Sequence, residues 1–574
     1  MAPAGLQSDS SMAKLLHSGP ISTVAAQGTL WASGGYDNRI ILWDTRLGQP
    51  QALAQGVHDH LVNHCEFSPD GRHLVSAGSD YTARIWSLPA LTLQTVLSGH
   101  GDDVDMAVFS PDSQWVATCA LDRAVRVFDL TGRCHHTFLG HAGNIISLLW
   151  RPDGRTLVSS GVDGTVREWS LDSGTQANCH DLQGIRTDTI VTDTLGRILA
   201  GDDRGRIAIL TDGPPRYLQA HQAGVKKLVF SAEERVLVSL SYDRTLAIWS
   251  LGQDGALTEQ QRAALPALIW SRAAAVLTGG RLLVGTFGTR PAVYDWRQDR
   301  WELDGIEAGN SINAVTIQDG HCFTVGDAGV VRRDGQPWAQ MHSLCNFLVA
   351  AGSRLFTGGQ LGQLFDAHTG ALVFEFHSPL NCGTTFTRAG RLHLAVGTYT
   401  GELLIFDHAD GDGIGLVATI AAFGSAVKGL TCNGDLLFAV CASTAIAWYD
   451  CASLTLTRAV AHAHDKIANA CACAGPGRVA TVARDRTLRL WSDQATEVHL
   501  TPHPNSVKCL AASLDGTRLL TGSYGGTIAA FDLPSRAWTR FERISSAGIA
   551  SITFDPAHDC FIAADYDGGL HVVH

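Results

Sequence analysis

A tight-turn aspartate recurs along this chain at Asp37, Asp80, Asp122, Asp163, Asp203 and Asp243, in steps of 43, 42, 41, 40 and 40 residues. A fixed period of that size restricts the fold to stacked copies of one supersecondary unit, because a single copy cannot bury its apolar face alone. Two segments show what the unit is. GHAGNIISLLWRPDGRTLVSSGVDGTVREWS (140–170) and AHQAGVKKLVFSAEERVLVSLSYDRTLAIWS (220–250) align residue for residue around His, Asp and Trp. Each holds three apolar, β-branched runs of strand length divided by turn signals such as PDG, VDG and YDR. Nothing between them has helical periodicity. The signal fades after Asp243 and returns at Asp485 and Asp567, and weaker copies at Gly288, Asp327, Gly359, Thr400, Ser443 and Gly525 complete fourteen units.

A period near 40 with GH and WD dipeptides, here Gly99-His100, Gly140-His141 and Trp43-Asp44, resembles the WD40 β-propeller family over essentially the whole chain. The resemblance implies four strands per unit and one hydrogen-bonded chain of His, Ser or Thr, Asp and Trp in each. The spacing fits His58, Ser76, Asp80, Trp86; His141, Ser159, Asp163, Trp169; and His221, Ser239, Asp243, Trp249. With shorter first hairpins it also fits His17, Ser33, Asp37, Trp43 and His464, Thr481, Asp485, Trp491. Each set contributes about 3 kcal/mol at roughly 1 kcal/mol per bond. These residues are therefore expected to be structural rather than catalytic. Unit 3 departs only by Phe128 in the Trp position, and unit 13 keeps His503 and Thr521 but has Gly525 and Phe531.

A closed ring holds 4 to 8 blades, so fourteen units predict two rings. The expected fold is all-β: two tandem seven-bladed propellers, 13–302 and 303–574, after a flexible tail at 1–12. An outer-type strand at 13–17 and an inner-type strand at 569–574 suggest that 13–17 closes the last blade of the second ring. The layout resembles that of the actin-interacting double propellers in architecture alone.

Function is expected on the loops at the ring ends. In the WD40 family the common partner-binding face is formed by the residue before the tetrad Asp and those three and five after the tetrad His. The resemblance thus implies Tyr36, Leu61, Asn63, Ser79, Asp103, Asp105, Leu121, Asn144, Ile146, Val162, Asp202, Lys226 and Tyr242 in the first ring. In the second it implies Tyr399, Arg484, Tyr524 and Tyr566, with Ser506 and Lys508 nearby. Five of the nine tyrosines occupy one loop position, and Tyr is a favoured interface residue.

The function expected from this is a non-enzymatic scaffold for protein partners, with a channel hydrolase or small-ligand binder as the alternative. No P-loop, nucleophile elbow, HExxH or dinucleotide motif is present, and no cofactor is expected. His462, His464, Cys471 and Cys473 have the elements of a zinc site, but His464 belongs to a tetrad and the two cysteines alternate along a strand. Asp407, Asp410 and Asp412 lack calcium-loop spacing and read as a solvated turn. The net charge of -12 disfavours nucleic acid as a partner, and RNA binding is the least favoured reading. No apolar run approaches membrane-spanning length and the cysteines lie singly, so a cytoplasmic protein is expected.

Overall fold

The computed structural model describes residues 15–211, 213–341, 343–408, 413–493 and 495–574. They form fourteen antiparallel sheets and no helix, thirteen sheets with four strands and the last with three. We number these sheets as blades 1 to 14. Blades 1 to 7 span 21–57, 62–97, 104–139, 145–181, 187–219, 225–264 and 269–302. Blades 8 to 14 span 312–340, 345–375, 380–421, 427–460, 468–500, 507–543 and 549–573. Strands follow chain order within a blade, as expected when tight turns join antiparallel neighbours.

The apolar pattern of the strands decides how blades stack. The second strands are buried on both faces, as in Leu74–Gly78 of blade 2, whereas the outermost strand of blade 4, Thr175–Asp181, is almost wholly exposed. Blades therefore bury their faces on one another. Val75, Ala77 and Ile85 of blade 2 pack on Val104, Phe109 and Phe128 of blade 3. Closure is visible at both seams. Ile21, Val24, Trp31 and Trp43 of blade 1 pack on Ala273, Leu283 and Val293 of blade 7, and Ile312 and Val315 of blade 8 pack on Ile562 and Ala564 of blade 14. Closing each set of seven covers the apolar faces that the first and last blades would otherwise expose, leaving only short edges at the channel and the rim.

The second ring keeps four strands in each of its first six blades and three in the described part of the last. Blades 8 to 11, which have lost most tetrad residues, hold together through apolar clusters such as Phe347, Phe356, Leu364, Leu394 and Phe406.

Of the two sequence expectations at the ends, only the part that falls on residues 15–17 can be compared with the structure. Residues 1–12, with 13 and 14, lie outside the described residues. Leu15, Leu16 and His17 carry no strand, and the described part of the last blade has three strands only. His17 donates its amide to Thr289 O of blade 7, so this segment is held by the first ring. The next residue does reach across, with Ser18 donating its hydroxyl to Asp567 of blade 14.

Candidate functional site: the loop face between the rings

In each expected tetrad the carboxylate fixes the tautomer. Asp163 accepts from His141 Nδ1 at 2.9 Å, so Nε2 is left to accept from Ser159 at 2.8 Å, and Ser159 Oγ accepts from Trp169 Nε1 at 2.8 Å. The same chain runs through His17, Ser33, Asp37 and Trp43, and through His58, Ser76, Asp80 and Trp86. It recurs at His221, Ser239, Asp243 and Trp249, and at His464, Thr481, Asp485 and Trp491. The residue after each tetrad Asp sits in the left-handed region. Gly164, with φ of 70°, also lies so close to Gly184 that a Cβ there would come within 2.4 Å of its backbone. Blade 13 replaces the missing Asp by Thr527, whose hydroxyl lies 2.7 Å from His503 Nδ1. With no carboxylate beside it, burial pushes the His503 imidazole down to about 4.

Asp485 gives this network a pH dependence. Burial alone would push its carboxyl up, but the hydrogen bond and positive field of His464, with the donors of Thr487, hold it at about 2. Because the folded-state value is depressed, its stabilisation is complete above about pH 4 and is lost as pH falls through the folded value. Asp243 behaves alike, at about 2. The urea midpoint is therefore expected to fall between about pH 4 and pH 2, and less steeply in Asp485→Asn. Equal slopes for the two proteins would contradict that assignment.

A β-bulge re-aims one side chain per blade. In every blade the first strand slips register against the second, in thirteen of them by a single residue. Where a tetrad His is present, the skipped residue is the one five positions after it: Ser22, Asn63, Asp105, Ile146, Lys226, Asn469 and Lys508. Several of these were expected to meet outside partners. Asn63 and Lys226 instead reach the neighbouring blade, and Asn side chains at the same place in other blades do likewise. Asn63 donates to Val104 O at 3.0 Å, Asn313 to Cys345 O at 3.1 Å, Asn346 to Leu380 O at 2.9 Å and Asn469 to Val507 O at 2.7 Å. Asn381 and Ser22 make the equivalent bonds to Val427 O and Val62 O. The recurring Asn was the sequence signal for these inter-blade ties.

The larger correction concerns the face itself: the loop ends of the two rings meet. Tyr36, Leu61, Tyr524 and Tyr566 form one apolar cluster with Ala547 and Ala550, joining blades 1 and 2 to blades 13 and 14. Tyr242 of blade 6 packs edge-on against Tyr399 of blade 10, with ring centroids 5.7 Å apart. Arg484 of blade 12 donates to Asp103 of blade 3 at 2.6 Å, and Ser79 donates to the same carboxylate at 3.0 Å. Lys466 pairs with Asp102 at 2.9 Å and Asn505 donates to Asp59 O at 3.0 Å. Ser506 is buried and its hydroxyl reaches Arg484 O. Most of the expected partner face is thus occupied by the chain's own second ring. The physical reason is that Tyr and Arg at loop ends suit any interface, and a neighbour on the same chain has the higher effective concentration.

Leu121, Asn144 and Val162 are among the expected residues that touch no residue of the second ring in the contacts seen, and Val162 is 38% exposed. Asp202 is fully buried, not at a loop tip, and its carboxylate accepts from the Arg206 Nε at 2.8 Å and from the amides of Arg204 and Arg206. The turn in blade 5 is thus anchored one residue earlier than the sequence spacing suggested.

The first ring encloses a cavity of about 120 Å³ along its axis, lined among others by Asp105, Ile146, Asp188, Lys226, Lys227, Trp270 and Arg272. Lys226 binds Asp188 at 2.6 Å and also Asp203, which compensates its charge. Among the described residues Asp105 has no such partner, and burial followed by the nearby Asp103 pushes its carboxyl up to about 7. Among the described residues no group of three or more potential ligands is placed to hold a metal ion. His464, part of the zinc-like pattern, is engaged by Asp485 and Thr481. Of the acidic turn, Asp410 and Asp412 lie outside the described residues.

Comparison with known sequences agrees with this geometry. The family model of the WD domain, G-beta repeat, matches residues 11–44, 53–87, 91–129, 132–170, 213–250 and 495–532. Six segments of the chain are thus recognisable as WD40 repeats. It is 28% identical over 236 residues to "Target of rapamycin complex subunit wat1" of Schizosaccharomyces pombe, covering 38% of this chain and 74% of that protein. It is 27% identical over 264 residues to "Nuclear distribution protein PAC1" of Arthroderma otae, covering 39% of this chain and 57% of that protein. Against "Protein groucho" of Drosophila melanogaster the identity is 28% over 196 residues, 33% of this chain and 27% of that protein. Among the described residues no helix is long and apolar enough to cross a membrane.

Proposed function

We propose that this chain is a non-enzymatic, cytoplasmic scaffold that assembles protein partners. The observation that carries the reading is that the regularly placed His and Asp side chains are consumed by the blade tetrads, while the fold offers a large, rigid loop-bearing surface. The relative named as a complex subunit supports the same role. Because the ring-to-ring face covers the tyrosines, the partner surface is assigned to the uncovered part of the loop face on blades 3 and 4, around Leu121, Asn144 and Val162.

Val162→Arg is expected to abolish capture of partners from native lysate while leaving the melting temperature within about 1 °C of the parent, as for other exposed sites. Affinity purification with mass spectrometry checks it. An unchanged set of captured proteins would remove this surface from consideration, and loss of capture with a large drop in melting would assign the effect to folding instead.

A further inference from the structure

The bulge positions of the second ring follow one pattern with three exceptions, Ala550 of blade 14, which has no polar group, and two that share a chemistry. Four of the seven, Asn313, Asn346, Asn381 and Asn469, latch onto the next blade through a side-chain amide. In blades 11 and 13 the bulged residue is instead Lys428 and Lys508. Each ammonium takes the place of a latch and is aimed into the space where the two rings meet. Lys428 Nζ lies 5.9 Å from the ring centre of Tyr399, and Lys508 Nζ lies 5.8 Å from that of Tyr524.

Arg272 approaches the same space from the first ring. Its Nε donates to Tyr242 OH at 2.8 Å, and Tyr242 rests on Tyr399. Among the described residues no carboxylate lies within salt-bridge distance of Lys428, Lys508 or Arg272; Asp188 and Asp103 are paired with Lys226 and Arg484, and Asp105 lines the first-ring cavity with Arg272 without closing an ion pair. All three cations are half-buried. Cations held in an enclosed site without a direct ion-pair partner are costly. A group with three strong acceptor oxygens and about -1.5 to -2 charge at neutral pH offsets that cost best, and phosphoryl groups have that composition.

We propose that the ring-to-ring face is a binding site for a phosphate-type oxyanion, held by Lys428, Lys508 and Arg272 beside the hydroxyl of Tyr399. The site goes beyond the scaffold role and does not depend on it. The electrostatics of the tyrosine agree. Burial pushes the Tyr399 hydroxyl up, but Lys428 first and Arg272 next outweigh it and hold it at about 8. An anion at the site would neutralise those cations and raise that value.

The test is a calorimetric titration of the full chain with inorganic phosphate at constant ionic strength, repeated with glycerol phosphate. Saturable binding of one equivalent is expected, weakened about tenfold or more in Lys428→Met and in Lys508→Met, the effect of losing one charge-assisted contact. Tighter binding of inorganic phosphate would assign the free ion, and tighter binding of glycerol phosphate a phosphorylated metabolite. Melting in phosphate-free buffer controls for folding: both variants should melt no lower than the parent, since each loses an uncompensated cation. Phosphate should also shift the near-ultraviolet tyrosinate titration upward in the parent and not in Lys428→Met. Absence of saturable phosphate binding, or equal binding by parent and both variants, would overturn the site.

Discussion

Trp169→Ala is expected to destabilise blade 4 by about 3 to 5 kcal/mol, the range for removing a buried aromatic side chain. Trp169 is 2% exposed and packs with Val125, Phe138, Leu148 and Leu157, so its loss opens a cavity between blades 3 and 4. It also removes the donor to Ser159, although His141 still holds that hydroxyl. Packing therefore dominates over the hydrogen bond. Trp169→Phe separates the two contributions, because blade 3 already carries Phe128 at the equivalent place. That variant should lose only about 1 to 2 kcal/mol. Hydrogen exchange of blade 4 amides checks both, since a fourteen-blade chain opens locally before it unfolds as a whole. Indistinguishable protection in Trp169→Ala and the parent would contradict the assignment of this tryptophan to the inter-blade core.

Arg484→Met should be the most damaging change at the ring-to-ring face, costing about 3 to 5 kcal/mol of docking, because it strands a buried carboxylate. Asp103 is 2% exposed. Burial pushes its carboxyl up, and the guanidinium of Arg484 opposes that shift. With Arg484 gone, Ser79 is left as the side-chain donor to Asp103, and one hydroxyl does not replace a guanidinium. Asp103→Leu in the same chain should recover much of the loss, since an apolar pair of similar volume leaves no orphaned charge. The four proteins form a double-mutant cycle with an expected coupling above about 1.5 kcal/mol. Small-angle scattering and limited proteolysis of the 303–311 connection report whether the rings separate. Additive single-mutant effects, with no rescue in the double variant, would mean that the pair does not hold the rings together.

The blade was legible in the sequence because its determinants are local. His, Ser or Thr, Asp and Trp stand at fixed offsets within about 30 residues, and the turns between strands carry their own Asp-Gly and Pro-Asp-Gly signals. Blades 8 to 11 were harder to delimit, since apolar packing of Phe347, Phe356 or Phe406 needs shape and size but no fixed residue at a fixed place. Asp202 was misplaced for a related reason. Two adjacent aspartates satisfy the spacing, and which one turns inward depends on where Arg206 delivers its guanidinium.

The sequence by itself determined the repeat, its number and the identity of the tetrads, because each of these is written within one unit. Only the tertiary structure decided what the loop tyrosines face. Tyr36 meets Tyr524 and Tyr566, and Asp103 meets Arg484, across separations of several hundred residues. Whether a row of Tyr and Arg at a ring's end awaits a foreign partner or the second ring depends on how two closed rings are set against each other. Local periodicity carries no trace of that, since both outcomes reward the same residue types at the same positions.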